Sequence, residues 1–137
     1  MASKHIFISA GELSGDIHGG NLIAAIKRKR PEITVSAIGG DNMSAAGATL
    51  LYHIRETSFM GFAEVIRHLP FIWKLWKKTL QHIDRSRPDL VVLIDYPGFN
   101  LRLAKAVTKR KIPVVYYISP QVWAWHQSRV TKIRKYT

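Results

Sequence analysis

Asp95 closes an apolar run, Leu90 to Ile94, and opens the turn Tyr96-Pro97-Gly98-Phe99-Asn100. A carboxylate at the carboxyl end of a buried strand is partly desolvated, which raises its pKa towards the range useful for proton transfer. Asp95 is therefore the first candidate for a catalytic base. A blander role, tying the turn down through backbone amides, suits the same residue. Asn100 is placed to cap the following helix in either case.

A second group, Gly11-Glu12-Leu13-Ser14-Gly15-Asp16-Ile17-His18-Gly19-Gly20, follows the first strand-like run. Glycines let the backbone turn tightly and approach a ligand, and amides at a helix start can receive an anion. The spacing is not G-x-G-x-x-G, and Asn21-Leu22 stand where a phosphate loop needs Lys followed by Ser or Thr. It also misses the G-x-S-x-G hydrolase elbow by one position. Glu12 and Asp16 would repel a pyrophosphate but can accept hydrogen bonds from sugar hydroxyls. The alternative for Asp16 is a helix cap beside a structural glycine turn. A third group, Ser119-Pro120-Gln121-Val122-Trp123-Ala124-Trp125-His126, offers two indole faces that can stack on sugar rings or pack against another domain. None of the six histidines has a metal-ligand spacing and there is no cysteine, so no metal site, cofactor, disulfide or thiol nucleophile is expected.

Between these groups lies a stretch of another kind. Phe59, Met60, Phe62, Val65, Ile66, Leu69, Phe71, Ile72, Trp73, Leu75 and Trp76 are interleaved with Arg67, His68, Lys74, Lys77 and Lys78. Two consecutive helical patterns are apolar over more than one face. A core stripe accounts for part of them; the remainder, beside lysines, suits an interfacial segment whose apolar side chains dip below anionic headgroups. An RNA-binding face would use the same residue types. The chain carries 21 basic and 9 acidic residues, and the excess is local: residues 1–50 hold five against four, residues 51–137 sixteen against five. Such a surface attracts phosphates or is simply a solvated basic face.

The elements that must position these groups are legible as breaker-bounded runs. Strands are expected over residues 4–10, 33–38, 49–53, 90–95 and 114–118, and helices over 16–30, 42–46, 61–69, 71–85, 100–111 and 128–136. Val91-Val92-Leu93-Ile94 is apolar without alternation, as a parallel strand covered on both faces requires. The order predicts an α/β fold, a doubly wound, mostly parallel, Rossmann-like sheet, with ligands beyond the carboxyl ends of its strands. At 137 residues, 47% hydrophobic and 22% charged, the chain fits one folded domain and not a disordered tail. The longest apolar runs, of five residues, are far short of the roughly 20 needed to span a bilayer. The start lacks a signal core, so a cytosolic location is expected. The abrupt end at Thr137 suggests one half of a larger protein.

Five motifs in order resemble the lipid-A-disaccharide synthase family: A-G-E-x-S-G-D-x-x-G at residues 10–19, I-G-G at 38–40, M-G-x-x-E-V at 60–65, D-x-P-x-F-N at 95–100, and S-P-x-x-W-A-W at 119–125 with Arg129 beyond. That resemblance implies a twin-Rossmann glycosyltransferase of the GT-B type. Its reaction joins UDP-2,3-diacylglucosamine to 2,3-diacylglucosamine 1-phosphate, releases UDP, inverts the anomeric centre and uses no metal. This chain, residues 1–137, would be the N-terminal acceptor-binding domain, with the UDP-sugar-binding domain outside it and the piece inactive alone. Asp95 would be the base. Glu12, Ser14, Gly15, Asp16, Met60, Asn100, Gln121 and Trp123 would line the acceptor site. Phe62, Ile66, Leu69, Phe71, Trp73, Trp76, Lys74 and Lys77 would meet acyl chains or the anionic, cytoplasmic face of the inner membrane. No nucleic acid is implied, and a homodimer of the full-length form is left open. The rival from another class is a basic, non-enzymatic membrane- or RNA-binding module, which has no use for Asp95.

Overall fold

In the computed structural model, which describes residues 4–56, 69–94 and 97–117, five strands form one all-parallel sheet. They are β1 (His5–Ala10), β2 (Thr34–Gly39), β3 (Thr49–His53), β4 (Leu90–Ile94) and β5 (Val114–Tyr117), in the spatial order β3-β2-β1-β4-β5. Among the described residues four α-helices flank them: α1 (Leu13–Lys29), α2 (Asp41–Ala45), α3 (Leu69–Ser86) and α4 (Pro97–Lys109). The doubly wound α/β architecture expected from the sequence is the one found.

Side-chain alternation along the strands divides the core in two. Ile6, Ile8 and Ala10 of β1 join Val92 and Ile94 of β4 in a cluster with Ile23 of α1 and Met43 of α2. Phe7 of β1 joins Val91 and Leu93 of β4 on the opposite face, with Leu75 and Ile83 of α3 and Leu103 and Val107 of α4. The run 91–94 is buried on both sides, which is why it carries no polar alternation. Each such side chain contributes about 1.5–3 kcal/mol on burial. The two central strands are thus the best anchored part of the sheet.

Several helices start earlier than their patterns suggest. α1 begins at Leu13, three residues ahead of the expected start at Asp16, so Ser14, Gly15 and Asp16 form its first turn. α4 begins at Pro97, where a missing N–H is harmless because a first-turn amide has no helical acceptor. The same reason lets α3 run through Pro70. The helices expected over 61–69 and 128–136 lie outside the described residues, apart from Leu69. Glycine inside α1 serves close packing. Met43 is fully buried between α1 and the end of β2; a Cβ at Gly19 would stand 2.6 Å from its sulfur, and one at Gly39 would meet the same atom.

At the amino edge of the sheet, His5 Nε2 and His82 Nε2 lie 2.7 and 2.8 Å from the hydroxyl oxygen of Ser36. Burial lowers both imidazole pKa values below 6.5; the neighbouring Asp89 charge and a Ser86 backbone contact oppose this at His5, while His5 adds to it at His82. The folded state therefore binds fewer protons than the unfolded chain near that pH. The stability this contributes is complete above pH 6.5 and is lost as pH falls through the lower folded values. The urea midpoint is expected to drop between about pH 7.5 and pH 5, above the range where most carboxylates titrate, and His82→Phe should flatten that slope. An unchanged slope in the variant would place the titration elsewhere.

Candidate active site at the carboxyl rim

Chain order defines a split in the sheet. β1, β2 and β3 step outward in one direction and β4, β5 in the other, so β1 and β4 are neighbours across a reversal of connectivity. Ala10 pairs with Ile94 at their ends. In open α/β sheets this is where ligands bind, because the connections diverge there and leave a crevice. The chain leaves β1 through residues 11–12, and Asp95 directly follows Ile94 in the sequence.

The head of α1 sits on this split. Glu12 occupies the cap position with extended backbone, and its carbonyl accepts the Asp16 N–H at 3.0 Å while its side chain stays exposed and makes no capping bond. Ser14 is exposed in the first turn. Gly15 is buried; a Cβ there would stand 3.1 Å from Ala10 Cβ and 3.4 Å from Ile94 Cγ2. Its glycine lets the helix rest directly on the ends of β1 and β4.

Asp16 has a different placement from the one its spacing suggested. It is 1% exposed, and each carboxylate oxygen accepts two hydrogen bonds: Oδ1 from the N–H groups of Gly40 (2.7 Å) and Met43 (3.0 Å), Oδ2 from Asn42 N (3.0 Å) and Asn42 Nδ2 (2.9 Å). Four acceptor sites are thereby filled from within the protein. The carboxylate caps α2, a neighbouring helix and not its own, and it ties the A-G-E-x-S-G-D segment to the I-G-G segment. Helix capping was the right chemistry for Asp16, assigned to the wrong helix.

Asn100 is likewise interior. It is fully buried in the first turn of α4, one turn past the cap position expected for it. Its Oδ1 accepts the Ser9 hydroxyl at 2.7 Å, and its Nδ2 donates to the carbonyls of Ser9 and Ile94, each at 3.2 Å. The side chain spans the split and fastens both strand ends to α4.

A further rim cluster drew no notice in the sequence. Asp41 Oδ1 lies 2.8 Å from His53 Nε2 and 3.9 Å from the Arg55 guanidinium. The His53 hydrogen bond, helped by the charges of His53 and Arg55, holds the Asp41 carboxyl below the usual range. These residues meet because Gly39 and His53 pair across β2 and β3, a register no local pattern reveals.

The aromatic and basic helix α3 divides its side chains. Trp73 is 62% exposed, with Lys74 and Lys77 exposed beside it and the Lys77 ammonium 5.9 Å from the Trp73 ring centre. Phe71 and Trp76 are half-buried and turn inward, edge-on to Tyr52 and Phe99 with ring centres 5.9 and 5.6 Å apart. Of the surface set, then, Trp73, Lys74 and Lys77 face solvent, while Phe71 and Trp76 are engaged by the core. Asp95, Met60, Phe62, Ile66, Gln121, Trp123 and the side chain of Leu69 lie outside the described residues.

A family profile described as lipid-A-disaccharide synthetase matches residues 6–137. The lipid-A-disaccharide synthase of Koribacter versatilis is 43% identical over 132 residues, covering 96% of this chain and 35% of the relative. That of Alteromonas mediterranea is 44% identical over 126 residues (92% and 33%), and that of Coxiella burnetii 38% over 136 residues (99% and 36%). The chain thus spans about a third of the length of the curated relatives it matches. With the match running from β1 past β5, through the glycine-rich head of α1 and the D-x-P-x-F-N motif, the chain belongs to the lipid-A-disaccharide synthetase family.

Proposed function

We propose that residues 1–137 form the N-terminal, acceptor-binding domain of an inverting glycosyltransferase whose UDP-sugar-binding domain lies outside this chain. The reaction joins the sugar of UDP-2,3-diacylglucosamine to the 6-hydroxyl of 2,3-diacylglucosamine 1-phosphate. Neither domain would catalyse this alone, because donor and acceptor must meet across the cleft between them. The observation that carries the reading is the place of Asp95 in the chain: it directly follows Ile94, the last residue of the strand bordering the split. The relatives support it through their name, lipid-A-disaccharide synthase.

In this reading the Asp95 carboxylate takes the proton of the acceptor 6-hydroxyl as that oxygen attacks the anomeric carbon. The bond from that carbon to UDP breaks on the opposite face and UDP leaves with the electron pair. One in-line displacement converts an α-linked donor into a β-linked disaccharide through an oxocarbenium-like state, without a covalent sugar intermediate. Glu12 and Ser14, exposed at the head of α1, hold acceptor hydroxyls. Gly15, packed on Ala10 and Ile94, lets the head of α1 sit close enough to the split for the Glu12 and Ser14 side chains to reach the sugar. Met60, Gln121 and Trp123 complete the acceptor site on the strength of their motifs. Asp16 and Asn100, with their polar atoms bonded inside the protein, shape the site without lining it.

The diacylated substrates live in a membrane, and among the described residues no helix is long and apolar enough to cross one. We place the domain peripherally on the anionic cytoplasmic face of the inner membrane, with Trp73 as interfacial anchor and Lys74 and Lys77 as headgroup contacts. Each cation near such a surface contributes about 1 kcal/mol. Phe62, Ile66 and Leu69 extend that contact.

In the complete gene product, Asp95→Ala should lower UDP release from the two substrates by about 10²- to 10⁴-fold while binding to vesicles is retained. Unchanged turnover would remove Asp95 from the chemistry and favour the non-enzymatic binding module. Trp73→Ser should weaken sedimentation with vesicles containing anionic lipid, and more strongly at low than at high salt once Lys74 and Lys77 are also neutralised. Equal binding by wild type and variant would return this face to ordinary solvated surface.

A further inference from the structure

We propose that Ser9 and Asn100 are positioning residues for the general base, acting through the carbonyl of Ile94. This rests on the reading of Asp95 as that base. Asn100 is the last residue of D-x-P-x-F-N, and the sequence suggested that it grips the acceptor sugar. The structure buries it completely. A side chain with no exposed surface does not touch a sugar in the crevice, so its contribution to the reaction must pass through what it holds.

What it holds is specific. A carboxamide has two N–H donors, and here one goes to the Ser9 carbonyl and one to the Ile94 carbonyl, each at 3.2 Å. The two carbonyls can only accept, which fixes the end of the amide that faces them, and its oxygen then takes the Ser9 hydroxyl at 2.7 Å. Ser9 is 1% exposed and so has little recourse to water. An aspartate at position 100 would offer no donor while ionised, and leucine or alanine none at all. Filling the space would have been simpler with an apolar residue, since a buried hydrogen bond adds only about 1 kcal/mol net. The arrangement demands two donors and one acceptor in one plane.

The Ile94 carbonyl belongs to the peptide group whose nitrogen is that of residue 95. Because that group is planar, clamping the carbonyl oxygen sets the plane from which the chain leaves β4 towards the base. The second clamp, on Ser9, makes β1 the reference against which the direction is fixed, and the head of α1, which carries the exposed Glu12 and Ser14, packs through Gly15 on the ends of β1 and β4. Base and acceptor-binding residues are thereby referred to one rigid strand pair. A general base must lie within about 2.6–3.2 Å of the proton it removes, and a displacement near 1 Å can cost about a hundredfold in rate. Loss of the clamp should therefore appear in kcat and not in substrate affinity.

The experiment compares Asn100→Ala, Ser9→Ala and Asp95→Ala in the complete gene product, with rates referred to the folded fraction measured by thermal unfolding. Asn100→Ala should lower kcat by about ten- to a hundredfold with KM for both substrates within about twofold, and should displace the acid limb of the kcat–pH profile as the surroundings of the base change. Ser9→Ala, the milder variant, should move kcat in the same direction by about three- to tenfold, and it decides the matter if Asn100→Ala does not fold. A raised KM at constant kcat would mean that Asn100 meets substrate. Constant kcat and an unmoved acid limb would reduce the pair to packing; both results overturn the proposal. If Asp95→Ala keeps turnover, the base reading fails and the positioning role with it; if Asp95→Ala is inactive while Asn100→Ala and Ser9→Ala turn over normally, only the positioning role fails.

Discussion

Burying a polar side chain without a partner costs about 1–3 kcal/mol, and the carboxyl rim of this sheet buries two polar side chains, Asp16 and Asn100. Asp16 and Asn100 both sit inside the protein, and both are saturated: four donors converge on the carboxylate, and the carboxamide uses both ends. Among the described residues no buried side-chain nitrogen or oxygen is left without a hydrogen bond. Saturation at these two positions determines where α2 and α4 begin relative to β1, β2 and β4. The crevice at the split inherits its shape from them. Residues at such a rim can belong to the active site without facing it.

Polar and apolar demands on α3 are met by separating them around the helix. Leu75, Thr79 and Ile83 face the sheet, and Phe71 and Trp76 extend that contact sideways onto Tyr52 and Phe99. Trp73 is left outside among lysines, where an indole gains nothing from water. Basic charge concentrated after residue 50 thus coincides, at α3, with an exposed aromatic, and the coincidence is what gives the charge a direction.

Much of this is legible in the sequence. The unalternating run 91–94 announced a strand covered on both faces, and the alternation of strand-like and helical patterns announced the parallel sheet. Five short motifs in order were enough to indicate the family. What escaped was long-range. Asp16 was recognisable as a capping residue, but its target, α2, lies 24 to 27 residues further along the chain, and nothing in the local pattern points there. For Asn100 the preceding turn indicates a cap and the family resemblance an acceptor ligand, whereas its partner Ser9 is 91 residues away. The aromatic run in α3 shows the same limit: periodicity marks a helix with too many apolar residues, and only the position of Tyr52 and Phe99 says which of them are spoken for.

Met43 carries an implication for how this fold tolerates change. Its thioether occupies the space that side chains at positions 19 and 39 would otherwise take. Those three sites share a single allotment of volume, although they come from a helix, a strand end and a second short helix. An alanine at either glycine meets the sulfur unless the thioether swings aside or is shortened, so the three positions are coupled: whatever shifts or trims the thioether opens space at both glycines at once.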